Sequence, residues 1–126
     1  MKTVKITNSN WQMTDKELEI RFYPYKAGGI AMELNEPGNE WDVWARCTIC
    51  PDFPMEPGEV AIKNYSENEG LYESLLDAGV IEKAHREIPC GWISAPVAFL
   101  TPEWRKKADR QIKAILEEIQ EERFAN

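Results

Sequence analysis

The sequence is poor in the side chains that most often carry chemistry. One histidine, His85, stands in 126 residues, and there are three cysteines, an odd number that leaves a thiol over under full pairing. An odd thiol fits a reducing compartment rather than a disulfide scaffold. Long apolar runs are missing, and none approaches the ~18 residues a membrane span needs. Near the start, Lys2 and Lys5 are followed by Asn8, Ser9, Asn10 and Gln12, which interrupt any signal-type apolar stretch. The expected location is therefore cytoplasmic, with no membrane contact. Internal repeats, low-complexity tracts and flexible linkers are also missing, so one domain over residues 1–126 is expected.

Positive charge is scarce as well. Fifteen basic residues face 22 acidic ones, a net charge of −7. Affinity for nucleic acid comes from neutralising phosphates, so direct nucleic-acid binding is not expected. Several motifs are lacking: the phosphate-binding G-x-x-x-x-G-K-[ST], the dinucleotide G-x-G-x-x-G, the zinc-protease H-E-x-x-H and the hydrolase G-x-S-x-G. An enzyme is the minority reading, and no cofactor is expected.

What is present reads as strands first. Val4 and Ile6 alternate with polar residues, as in a short edge strand. In LEIRFYPY, Leu18, Ile20 and Phe22 alternate with Glu19, Arg21 and Tyr23, the period of a half-buried strand. Ala27-Gly28-Gly29 is a hairpin turn and Ile30–Leu34 a second strand. Glu36-Pro37-Gly38-Asn39 is a turn before a third strand, Trp41–Ile49, with Val43, Ala45, Cys47 and Ile49 on one face. Pro51, Pro54 and Pro57 make a rigid connection to a short strand, Glu59–Lys63. Pro89–Leu100, close to continuously apolar, reads as one further strand, central in the sheet, with Pro96 calling for a bulge or an edge.

Two helices are expected. The first runs from about 67 to 78. Ser66 and Glu69 have the spacing of a capping box, and Leu71, Leu75 and Ala78 face inward. Gly79 has the place of a C′ residue, with Val80 folding back onto Leu75. Three residues exceed these duties: Asn64, Asn68 and Gly70. The second helix opens at Thr101-Pro102-Glu103 and runs over about 102–123, with a stripe of Trp104, Ala108, Ile112, Ile115 and Ile119 flanked by Leu116. The fold class that follows is α+β: an antiparallel sheet of four to six strands, a short helix and a long C-terminal helix.

The run IKNYSENEGLYESLLDAGVIE, followed by GWISAPVAFL, resembles a family of small proteins of unknown function carried by phages and integrative conjugative elements of Gram-positive gut bacteria. The similarity covers about Leu18 to Leu100, and Lys63–Gly70 is its most specific part. It implies a mobile-element context and no particular activity. The function expected is that of a non-enzymatic accessory protein that binds and inhibits or modulates a host protein, such as a component of host defence. The alternatives are a small-ligand binder that sequesters a signalling nucleotide and, more weakly, an acidic mimic of DNA.

The candidate binding residues are Asn64, Tyr65, Ser66, Glu67, Asn68, Glu69 and Gly70, with a second group of Trp41, Trp44 and Arg46 as a stacking surface. The competing readings are a helix cap for the first group and core packing for the tryptophans. Cys47, Cys50, His85 and Cys90 have the chemistry of zinc ligands, but Cys47 and Cys50 close an alternating strand and should point to opposite faces. Core thiols are the plainer reading. His85 with Cys90 could form a nucleophile and base, but no third, orienting group is marked. On the long helix, Arg105, Lys106, Lys107, Arg110 and Lys113 precede Glu117, Glu118, Glu121 and Glu122. That order opposes the helix dipole and suits antiparallel pairing of two copies.

Overall fold

A computed structural model describes residues 3–6, 16–26, 28–38, 43–49, 54–65 and 68–124. Trp41, Cys50, Ser66 and Glu67 lie outside the described residues. The class is α+β, with a short helix and a long C-terminal one, and the strands divide between two antiparallel sheets.

The first sheet has the order β1-β2-β3-β4, built from β1 (Thr3–Ile6), β2 (Lys16–Pro24), β3 (Ile30–Asn35) and β4 (Val43–Arg46). Leu18, Ile20 and Phe22 of β2 are all buried, as their alternation requires. The β2–β3 hairpin closes through Gly28 and Gly29, with φ 98° and 99°, where the Gly28 N–H donates to Tyr25 O at 3.0 Å. Of the expected Trp41–Ile49 strand, the described residues pair with β3 over Val43–Arg46, and the register shifts between Leu34 and Asn35. The shift breaks the alternation: Ala45 and Cys47 are buried, while Val43 is left exposed. Thr48 is buried too, and its Oγ1 accepts the Met32 N–H at 3.1 Å.

The second sheet has the order β5-β7-β6, from β5 (Glu59–Ala61), β6 (Arg86–Cys90) and β7 (Ile93–Phe99). The single strand expected over Pro89–Leu100 is therefore a hairpin. Gly91, at φ 65°, turns the chain, and Trp92 is fully exposed at the tip. An apolar run conceals such a turn because its one polar-backbone signal is a lone glycine. Pro96 lies in the central strand β7, where the ladder to β5 ends at Ala61↔Val97. Its carbonyl takes the Ile62 N–H at 2.9 Å, and no ladder donor is needed from its nitrogen.

A short seam joins the sheets. The Cys47 N–H donates to Met32 O at 2.8 Å, Lys63 N–H to Cys47 O at 2.8 Å, and Ile49 N–H to Ala61 O at 3.0 Å. One core then draws on both sheets and both helices, with Phe22, Leu34, Val60, Leu71, Leu75, Ala98 and Trp104 among its members. Burying each such side chain is worth about 1.5–3 kcal/mol.

Helix α1 (Leu71–Asp77) begins four residues later than expected. Its end is as the sequence requires: the Gly79 N–H donates to Leu76 O at 3.1 Å and the Val80 N–H to Leu75 O at 3.0 Å, the two bonds of a Schellman closure. Thr101 fastens the next helix to that closure. Its N–H donates to Val80 O at 3.0 Å and its hydroxyl to Gly79 O at 2.8 Å. Helix α2 (Pro102–Phe124) then lies on β2, with Trp104 and Ala108 buried and the Trp104 ring 6.2 Å from that of Phe22. Its 23 residues span about 34 Å. Leu116 and Ile119 are 51% and 44% exposed, so the expected stripe is buried only in its first turns. Among the described residues, no helix is long and apolar enough to cross a membrane.

Candidate functional site

The described residues of the Lys63–Gly70 signature are occupied with structure. α1 starts at Leu71, so Glu69 precedes the helix and does not hold the third position of a capping box. The residue before the helix is Gly70, at φ 95°, a conformation only glycine adopts at low cost. The cap comes from further back: Asn64 Oδ1 accepts the Tyr72 N–H at 2.9 Å. Asn68 is 2% exposed, and its Nδ2 donates to Arg46 O at 2.7 Å, pinning the turn to β4. Asn64, Asn68 and Gly70 thus account for one another's presence. Tyr65 lies beneath Lys63, whose Nζ is 5.8 Å from the ring centre, and its hydroxyl meets Cys90 Sγ at 3.6 Å. The hollow beside this turn is lined by Asn64, Glu69, Gly70 and Glu73. Its two carboxylates repel a nucleotide phosphate.

The second candidate group is divided. Trp44 is half-buried and packs against the main core, while the Arg46 side chain is exposed. The thiols and the histidine are apart. Cys47 is fully buried, and burial, with Glu33 nearby, pushes its thiol far above the ordinary range. Cys90 contacts Tyr65, and His85 contacts Glu59. Among the described residues, no group of three or more His, Cys, Asp or Glu side chains could hold a metal ion.

A different cluster draws attention by its burial. Glu59 opens β5 and is 2% exposed, although carboxylates are rarely buried unless paired. Every partner is in place. The Glu56 N–H donates to its Oε1 at 2.7 Å, and the Arg86 Nη2 to the same oxygen at 2.9 Å. Arg86 Nε donates to Oε2 at 3.2 Å, completing a fork, and His85 Nε2 lies 2.5 Å from Oε2. Burial works to raise the Glu59 carboxyl. The Arg86 guanidinium, the Glu56 amide and His85 outweigh it and hold the group at about 2. Glu59 is thus ionised and can only accept, so His85 Nε2 must carry the proton it shares.

Local folding explains the placement. Glu59 sits opposite Phe99 in the β5–β7 register, and the His85 ring stacks on Phe99 with centres 4.6 Å apart and planes at 17°. The His85 N–H donates to Val97 O at 3.1 Å, which carries the chain into β6. The Pro54–Pro57 strap crosses in front, tied by Arg86 Nη2 to Pro54 O at 3.1 Å and to Met55 Sδ at 3.5 Å. Between these parts lies a cleft of about 380 Å³, lined by the strap, Glu59, His85, Arg86 and Phe99. His85 and Arg86 are 36% and 37% exposed there. Among the described residues, no partner is found for His85 Nδ1 or Arg86 Nη1. The cleft presents an imidazole and a guanidinium edge, held by a buried anion, over an apolar floor.

From the sequence, only His85 of this cluster was singled out, and as a ligand or base toward Cys90. Glu59 and Arg86 were missed. The available signal was an acidic residue heading an apolar strand, Glu59 before Val60-Ala61-Ile62, together with the adjacent His85-Arg86 pair. Comparison with family models, with curated proteins and with solved structures returned no match.

Proposed function

We propose that this chain is a non-enzymatic accessory protein of a mobile element that binds a host protein and inhibits or modulates it, with the His85–Arg86 cleft as its anchoring point. The mobile-element context rests on the resemblance around Lys63–Gly70. The cleft rests on one observation: Glu59 spends its charge internally to hold an imidazole and a guanidinium at the mouth of an apolar-floored cleft. The open Arg86 Nη1 edge suits a carboxylate, from an Asp or Glu side chain of the partner or from its chain end, and His85 Nδ1, with the Nε2 proton given to Glu59, can accept a donor beside it. The nucleotide reading draws less support, because the hollow it would use is lined by Glu69 and Glu73. Self-association through α2 belongs to the same proposal and is taken up below.

The test is affinity isolation of the tagged chain from host lysate, native mass spectrometry of what co-purifies, and then binding measurements with the purified partner. A stoichiometric host protein is expected, with Arg86→Lys weakening it about tenfold, as loss of one charge-assisted bond does, and His85→Gln weakening it less, through loss of a neutral one. Because both residues also hold the buried Glu59, binding is compared well below the melting temperature of each variant, where a cooperative melt shows that the chain is folded. Binding by both variants equal to that of the wild type would remove the cleft from the proposal. A nucleotide mass in place of a protein would overturn the proposal itself.

A further inference from the structure

The apolar stripe of α2 continues into its second half, where its side chains open to solvent. Trp104 and Ala108 are buried, Ile112 and Ile115 half-buried, and Leu116 and Ile119 largely open. At 100° per residue, Ile112, Ile115, Leu116 and Ile119 fall within an arc of about 100°, the width of a packing stripe. We infer that this stripe is covered by the α2 of a second copy of the chain, running antiparallel. The inference rests on the self-association reading above, to which it adds the surfaces and the orientation.

The charges select the orientation. Lys107, Gln111, Glu118 and Glu122 follow one flank of the stripe, basic toward the start of the helix and acidic toward its end. A two-fold antiparallel pair sets like flank against like flank with the ends reversed. Glu118 and Glu122 of one copy then meet the Lys107 end of the other. A parallel pair would instead set opposite flanks together at the same level, and Glu118 and Glu122 would not reach the Lys107 end of the other copy.

A second feature supports the same occupant. Beside that flank, between β2 and α2, lies a groove of about 530 Å³ lined by Arg21, Lys107 and Arg110 over Phe22, Trp104 and Ile115. Ile115 belongs both to this groove and to the stripe, so the basic groove and the apolar seam are continuous. Lys107 is held in the groove, its Nζ 2.9 Å from Glu103 Oε1 and 4.3 Å from the centre of the Trp104 ring. An acidic amphipathic helix end fits such a surface, and the second half of α2 is one.

Sedimentation of the full chain over a wide range of concentration tests this. The wild type is expected to show a monomer–dimer equilibrium. Leu116→Glu with Ile119→Glu should weaken it at least tenfold and leave the melting curve of the monomer unchanged, since both side chains are open there. Glu118→Lys with Glu122→Lys should also weaken it about tenfold. A wild type that stays monomeric throughout overturns both the inference and the self-association reading. A dimer indifferent to Leu116→Glu with Ile119→Glu keeps self-association but overturns the α2 seam. Sensitivity to that pair combined with indifference to the lysine pair overturns the antiparallel orientation.

Discussion

Gly70 and Asn64 show how two residues divide one task. The helix start needs a positive φ at Gly70, which a side chain tolerates poorly, and an acceptor for the Tyr72 N–H, which Asn64 brings from eight residues away. Gly70→Ala is expected to cost about 1–2 kcal/mol through left-handed strain. Asn64→Ala should cost about 1 kcal/mol, the usual price of a lost cap. The check is the midpoint of urea unfolding for each variant and for Ser66→Ala. The capping-box reading predicts the largest loss at Ser66, whereas the geometry at Asn64 and Gly70 predicts that those two exceed it.

At the scale of elements, β2 has an edge that its neighbours do not complete. β1 pairs with it only from Lys16 to Glu19, so the backbone beyond Glu19 has no strand partner on that side within the described residues. α2 supplies one. Gln111 Oε1 accepts the Phe22 N–H at 2.9 Å, which makes a helix side chain stand in for a strand. Gln111→Ala should cost about 1 kcal/mol by leaving that N–H unsatisfied, while Gln111→Glu keeps an acceptor and should cost much less. Thermal unfolding separates the two, and amide exchange at Phe22 should rise only in the alanine variant. Equal losses in both would mean that Gln111 acts by packing.

Elements were legible from the sequence wherever the period was unbroken or a cap stood on its own. Leu18-Ile20-Phe22, the glycine hairpin, Gly79 with Val80, and the start of α2 are of this kind, and all are found. The misses share a physical cause. The β6–β7 hairpin is hidden in an apolar run because Trp92 and Ile93 at its turn are apolar although exposed, so polarity does not rise there. The start of α1 was misplaced because a serine and a glutamate at the right spacing imitate a cap, and the real acceptor is distant in sequence. The Glu59–His85–Arg86 cluster joins residues 26 and 27 positions apart through side chains, and no local pattern announces such a contact.

That cluster also connects the parts of the whole molecule. Through Glu59 and Arg86, the Pro54–Pro57 strap, β5 and the start of β6 are held to one buried charge. Its consequence should appear in the stability of the entire chain against acid. The Glu59 carboxyl is held at about 2 in the fold, below its ordinary value of 4.5. A lowered carboxylate contributes stability that is fully present above the ordinary value and is lost as pH falls through the folded one. The sign follows because the unfolded chain takes up the proton first. Unfolding midpoints should therefore decline between about pH 5 and pH 2. Glu59→Gln keeps the shape but not the charge, and should cost about 2 kcal/mol at neutral pH, the range for hydrogen bonds to a charged group. It should also flatten the acid decline, so that wild type and variant converge near pH 2. Denaturant titrations at several pH values measure both effects. Parallel pH curves would mean that other carboxylates carry the acid sensitivity, and that the buried charge of Glu59 orders the cleft without governing when the molecule comes apart.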